Sequence, residues 1–204
     1  MSYQIETEEQ LREVVGAPHP ELEAKVSDRL DEFAQAFIAA SPFVVISTAS
    51  SDGRQDASPK GDAPGFVTIA DDRTLLIPDR PGNKLAYGHR NIIANPRIGL
   101  LFVIPQTSET LRVNGTAELT SDPEVLEALA ARGKPAILAT RVTVEESFFH
   151  CGKAFIRSDL WKPERWGERH RVSFGEMYRK RKGLDESVAT AIDAGIETDY
   201  KQNL

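Results

Sequence analysis

The segment Pro78-Asp79-Arg80-Pro81-Gly82-Asn83-Lys84 follows an apolar run and precedes a helical pattern, so it gathers Arg80, Asn83 and Lys84 where a strand gives way to a helix. That setting suits a phosphate, because helix N-termini present unpaired N–H groups to anions and Arg or Lys adds charge-assisted hydrogen bonds. The plainer alternative is a capped surface turn in which an Asp79–Arg80 pair contributes next to nothing. A second segment, Asp56 to Gly65, holds too much Gly and Pro for a sheet interior. It predicts a shaped loop or a broken edge strand that brings backbone N–H groups and the Lys60 ammonium near a ligand, set against an ordinary solvated turn.

Two further groups are candidates. Leu111-Arg112-Val113-Asn114-Gly115-Thr116 places Arg112 and Asn114 on the polar face of a strand, where they line a groove or simply face water. His150, Cys151, Lys153, Arg157 and Trp161 form the densest set of reactive side chains. Cys151 lacks an activating pattern and reads as a small apolar side chain. His150 beside one cysteine does not meet the four-ligand spacing of structural zinc, so no metal is expected. From Lys162 to Lys182 eight Lys or Arg stand against three Glu, half of the cations in Arg179-Lys180-Arg181-Lys182 at a helix end, where they complement the dipole. No GxGxxG, GxxxxGK[ST], HExxH or GxSxG motif is present, which removes the main support for dinucleotide-fold, P-loop, zincin and hydrolase readings.

These segments need a scaffold to position them. Thr7 and Gln10 have capping-box spacing, and the short helix they open should stop near Gly16. From Glu21 to Ala40, Leu22, Val26, Leu30, Phe33, Phe37 and Ile38 recur at helical spacing and predict one amphipathic helix. The pattern then turns β-rich: strands are expected at Phe43–Ala49, Gly65–Ala70, Thr74–Pro78, Arg97–Ile104, Leu111–Leu119 and Ala136–Val144. Helices are expected at Lys84–Ala94 and Glu124–Arg132, then around Phe148–Arg157, Phe174–Lys182 and Glu186–Ala194. Strands with short helical insertions favour a mostly antiparallel barrel over a βαβ alternation. The chain divides into a helical segment over 1–40, a barrel over 41–161 and a helical extension over 162–204, together one structural domain.

Composition narrows the function. With 204 residues, 40% hydrophobic and 27% charged, the chain has the balance of a globular protein. Cys151 is the single cysteine, which forbids an internal disulfide and suits a reducing compartment, so the cytoplasm is expected. The apolar runs fall short of the ~20 residues that span a bilayer, and the start of the chain lacks a signal pattern, so neither a membrane partner nor export is expected. The net charge of −6 opposes whole-surface nucleic-acid binding.

The order and spacing of Ser58-Pro59-Lys60-Gly61-Asp62, Ile77-Pro78-Asp79-Arg80-Pro81-Gly82-Asn83-Lys84, Asn95-Pro96-Arg97-Ile98-Gly99-Leu100-Leu101-Phe102 and Leu111-Arg112-Val113-Asn114-Gly115 resemble the pyridoxamine 5′-phosphate oxidase-like family of FMN-binding split barrels. The likeness spans about Phe43 to Trp161, and His150-Cys151-Gly152-Lys153-Ala154-Phe155-Ile156-Arg157-Ser158 is similar to a subgroup of FMN-dependent enzymes. The resemblance implies a mainly β fold with flanking helices, a homodimeric split β-barrel that binds FMN at the subunit interface. By the same resemblance, Lys84 matches the family's phosphate lysine, Asn83 stands where many members carry a second basic residue, and Gly82 and Arg80 belong to that segment. Ile77-Pro78 is the strand end beside the flavin, Ser58-Pro59-Lys60 runs along its rings, and Thr110 and Arg112 reach it. His150, Lys153, Arg157 and Trp161 would border the substrate. The implied function is an oxidoreductase that moves electrons between a donor, a reduced nicotinamide for choice, and a small-molecule substrate. The alternative is a non-catalytic flavin- or haem-binding protein of the same fold. Ser58 departs from the oxidases' arginine, and their C-terminal Arg-x-His signature is missing, which argues against pyridoxamine 5′-phosphate as substrate.

Overall fold

The computed structural model describes residues 3–202; residues 1, 2, 203 and 204, assigned above to the terminal segments, lie outside the described residues. By internal contacts the chain forms two compact units, Met1–Trp161 and Lys162–Leu204.

The first unit is built on one sheet of seven strands: β1 (Phe43–Ala49), β2 (Gln55–Gly61), β3 (Thr68–Asp71), β4 (Thr74–Asp79), β5 (Arg97–Val103), β6 (Thr110–Thr120) and β7 (Leu138–His150). Their order is β2-β1-β5-β6-β7-β4-β3. Every neighbouring pair is antiparallel. The fold is therefore mainly β with flanking helices, as expected. Alternation does the sorting: Val44 and Ile46 of β1, Ile98, Leu100 and Phe102 of β5, Leu111 and Val113 of β6, and Val142 and Val144 of β7 share one buried cluster. Leu30, together with Ala34 and Ile38 of α2 (Glu32–Ala40), closes it from outside the sheet. Gly115 marks a register shift between β6 and β7, where a Cβ would stand 1.9 Å from the Thr143 carbonyl oxygen, so the bulge requires glycine.

Several helix boundaries differ from expectation for local reasons. The α1 helix (Glu8–Val15) carries the predicted capping box, with Thr7 accepting from the Gln10 N–H and the Gln10 side chain answering. The single helix expected over Glu21–Ala40 is two pieces, a 3-10 turn at Pro20–Lys25 and α2. Between them Ser27 forms a β-bridge with Ser147, and the Asp31 carboxylate accepts the Ala34 N–H at 2.8 Å to start a new helix. The apolar spacing is there, but the Asp31 cap and the Ser27–Ser147 bridge outweigh it.

α3 spans Tyr87–Ala94, not Lys84–Ala94, because Lys84 and Ala86 have φ of 62° and 52°, outside the helical region. α4 is the short Pro123–Ala128, behind an Asp122 cap. Phe148 to His150, expected in a helix, extends β7, and α5 is only Lys153–Arg157. Ladder pairing of Phe148 with Arg112 and of His150 with Thr110 explains the change, since long-range partners override local propensity.

The second unit is a helical pair, α6 (Phe174–Lys182) and α7 (Glu186–Gln202), the latter eight residues longer than expected. Gly175 permits the approach, as a Cβ there would lie 2.1 Å from the Ala189 carbonyl oxygen. Asp193 of α7 accepts the Ser173 hydroxyl and the Gly175 N–H, and these hydrogen bonds hold its carboxyl below the usual range.

Candidate functional site

Alternation along β2 decides what the site can contain. Opposite the inward residues Val44, Ile46 and Thr48 of β1 stand Lys60, Ser58 and Asp56, all half-buried, whereas Pro59 is exposed. The three inward residues form one wall of a cleft of about 380 Å³; the loop Arg80–Ala86 and the first turn of α3 form the other. That volume lies within the range of small-molecule sites.

The cleft is charged and partly self-neutralised. Lys60 Nζ donates to Asp79 Oδ1 at 2.6 Å, and His89 Nε2 stands 3.8 Å from the same oxygen. Arg80 is committed to structure: Nε donates to Asp62 Oδ2 at 3.1 Å and Nη1 to the Leu129 carbonyl at 2.9 Å. Asn83 Oδ1 accepts the Leu85 N–H at 3.0 Å and so shapes the loop. Lys84 is exposed, in the left-handed region, and has no ion pair or hydrogen bond from its ammonium among the described residues. Backbone held in that region by non-glycine residues stores strain of the kind found at ligand loops.

The predicted residues thus fall into three places. Ser58, Pro59, Lys60, Arg80, Gly82, Asn83 and Lys84 border the cleft. Ile77, 2% exposed, belongs to the core, and Pro78 is buried behind the loop. Thr110 and Arg112 lie elsewhere. Arg112 pairs through Leu101 and Val45 with Pro59, in one row across β6, β5, β1 and β2, on the face opposite Lys60. At ~4.8 Å per strand it sits roughly 14 Å from Pro59. Its guanidinium pairs with Glu146 and lies over the Phe148 ring, 5.2 Å from the centroid, while its buried Nε has no hydrogen-bond partner.

His150 pairs in register with Thr110, edge-on to Phe148. Burial, and then the Arg112 cation, lower its pKa from the ordinary value. Lys153 and Arg157 lie on α5, exposed, and Trp161 Nε1 donates to the Thr107 carbonyl at 2.8 Å. Cys151 is exposed, correcting its reading as a small packed side chain. Among the described residues no group of three His, Cys, Asp or Glu is arranged to hold a metal.

Sequence reasoning missed Asp79 as a partner for Lys60, and it missed His89 and Tyr87 altogether. Asp79 and Lys60 are 19 residues apart and meet only because the sheet rolls. His89 follows from the helix start at Tyr87 rather than Lys84, a boundary set by two unusual φ values.

The family model for pyridoxamine 5′-phosphate oxidase matches residues 30–151, well over half of the chain. The chain belongs to the pyridoxamine 5′-phosphate oxidase family. Its fold is the family's split barrel, and the matched span ends one residue beyond β7. Among solved structures, a putative pyridoxamine 5′-phosphate oxidase from Lactobacillus delbrueckii is 25% identical, covering 60% of this chain and 95% of that one at a TM-score of 0.47. A HupZ variant from Group A Streptococcus is 18% identical, with 59% and 99% covered and a TM-score of 0.49. An FMN-binding protein from Syntrophomonas wolfei is 11% identical, with 57% and 80% covered and a TM-score of 0.40. No curated protein gives a significant match. Family membership rests on the match over residues 30–151.

Proposed function

We infer that the protein is an FMN-dependent oxidoreductase acting on a small-molecule substrate, with a reduced nicotinamide as donor, in the cytoplasm. The observation that carries this reading is the cleft, in a member of this family, where Lys84 is left without a partner beside the inward face of β2. The residues present fit a phosphorylated flavin. Lys84 meets the phosphate, and Lys60, fixed by Asp79, keeps a cation against the flavin rings, where it favours the negative charge of the reduced form. Flavin supplies the two-electron chemistry, and the protein supplies position and electrostatics. Ser58 offers a hydroxyl on the same wall, and the core-facing Ile46 and Ile92 exclude water from the cleft floor.

The site is completed by a second copy of the chain. Arg112, Thr110 and His150 cannot reach a ligand in the cleft of their own chain, since Arg112 and Lys60 project from opposite faces of the sheet. The unpartnered Arg112 Nε, beside Phe148, Leu101 and Val45, supports an interface there that brings one copy's Arg112 to its partner's cleft. His150, Lys153, Arg157 and Trp161 would then border the substrate.

The test is a visible spectrum and denaturation of the purified protein, followed by FMN titration, nicotinamide turnover and sedimentation. A yellow dimer that releases FMN and is reduced by a nicotinamide is expected. A colourless protein that takes up no FMN overturns the flavin reading. A monomer that holds FMN tightly overturns the shared site.

A further inference from the structure

The charge balance of the cleft turns on one oxygen atom. Asp79 Oδ1 accepts from Lys60 Nζ at 2.6 Å and lies 3.8 Å from His89 Nε2, so one carboxylate oxygen of β4 faces a cation from β2 and an imidazole from the first turn of α3. His89 is 17% exposed, as sheltered as Asp79, and charges in that position are screened much less than surface ones. Close contact with the strands holds the imidazole there. A Cβ on Gly88 would stand 3.4 Å from Asp56 Oδ2 and 3.7 Å from Thr48 Oγ1, and Asn91 Nδ2 fastens the same helix to β1 by donating to Thr48 Oγ1 at 3.0 Å.

The other charged groups of the cleft are placed differently. Arg80 is taken by Asp62 and the Leu129 carbonyl, Asp56 borders Gly88, and Lys84 stands on the loop without an ion pair among the described residues. Imidazole is the one side-chain group that ordinarily changes charge between about pH 5 and 8. Among the described residues that line the cleft, His89 is the only histidine. With His89 neutral, Lys60 and Asp79 cancel. With His89 charged, two cations share one carboxylate and the cleft holds one more positive charge beside β2, which favours whichever form of a bound ligand is the more negative.

We propose that His89 is a positioning residue for the flavin reaction: through the Asp79 oxygen that it shares with Lys60, it sets the positive charge turned toward the flavin rings, so that a charged His89 favours the reduced cofactor. This rests on the flavin reading above and adds control by proton concentration, with flavin reduction becoming more favourable as pH falls.

Two measurements test it, the first without flavin. In the apoprotein, NMR titration of the His89 imidazole is compared among wild type, Lys60→Met and Asp79→Asn, with far-UV spectra as the check on folding. Lys60→Met leaves Asp79 to His89 alone and should move the midpoint up, whereas Asp79→Asn should move it down, each by about half a pH unit or more. A midpoint that neither substitution moves overturns the shared carboxylate and the proposal with it.

The second measurement takes the ratio of dissociation constants for oxidised and reduced FMN, obtained from the potentials of bound and free FMN, at about pH 5.5 and 8.5 in wild type and His89→Gln. The phosphate drops out of this ratio, because both forms carry it. On going to the lower pH, the wild-type ratio should shift toward reduced FMN by about tenfold more than that of His89→Gln, a difference of about 30 mV for two electrons. Parallel profiles in the two proteins overturn the proposal and leave the flavin reading intact. Failure of the wild-type apoprotein to bind FMN brings down the flavin reading, and the proposal with it.

Discussion

Lys60 Nζ and Asp79 Oδ1 are 2.6 Å apart, and this bond fastens the edge strand β2 to the far end of β4 across the opening of the barrel. Both side chains are largely sheltered, at 26% and 18% exposure. A hydrogen bond between charged groups contributes about 1.5–3 kcal/mol, so Asp79→Asn should lower the unfolding free energy by about that amount. Urea denaturation measures it; a loss under about 0.5 kcal/mol, the size of a surface substitution, would make the pair a bystander.

The loop cations should separate by role. Lys84→Ala is expected to raise the FMN dissociation constant by roughly 10- to 150-fold and to leave riboflavin binding unchanged, because only FMN carries the phosphate. Arg80→Ala should instead act on stability, since its guanidinium already holds Asp62 and the Leu129 carbonyl. Parallel titrations with the two flavins decide, and equal affinity changes for both in Lys84→Ala refute the phosphate role.

Gly115→Ala should destabilise the barrel by about 1–3 kcal/mol or more, because the new methyl meets the Thr143 carbonyl oxygen and the strands must separate. Thermal denaturation against wild type checks this. An unchanged midpoint would mean that the bulge relaxes freely.

His150 gives a pH signature. Its folded pKa lies below the ordinary 6.5, so at acid pH the unfolded chain binds the proton more readily than the folded one. Its contribution is whole above about 6.5 and is lost as pH falls through the folded value. His150→Gln should flatten the stability profile just below pH 6.5, and NMR titration of the imidazole should place its midpoint under that value. A midpoint above 6.5 contradicts the assignment.

Cys151→Ser should keep both stability and flavin content, since the thiol is exposed and flavin chemistry needs no thiol nucleophile. Complete loss of turnover in a fully flavinated variant would demand a different mechanism.

The parts legible in the sequence were those set by local rules. The Thr7–Gln10 capping box and the alternation of Leu111, Val113 and Ala117 appear in the structure as read. What escaped was decided by distant partners or by single dihedral angles. The extension of β7 through His150 depends on β6 pairing, and the split of the Glu21–Ala40 helix depends on Ser27 meeting Ser147. In the cleft, the cations could be named, but not which were free. Arg80 and Lys84 look alike in sequence, yet Asp62 and Leu129 occupy one of them and nothing among the described residues occupies the other.

The edge position of β2 gives its composition a second meaning. An open strand edge is a template on which a foreign chain can polymerise, and Pro and Lys are the residues that blunt such edges. Pro59 lacks the N–H such pairing would require, and it sits between the side chains that wall the cleft. Any redesign that regularises this strand, Pro59→Val for example, alters the cleft wall and opens the edge at the same time. One wall of the cleft and protection from fibril-like association are therefore inherited together on seven residues.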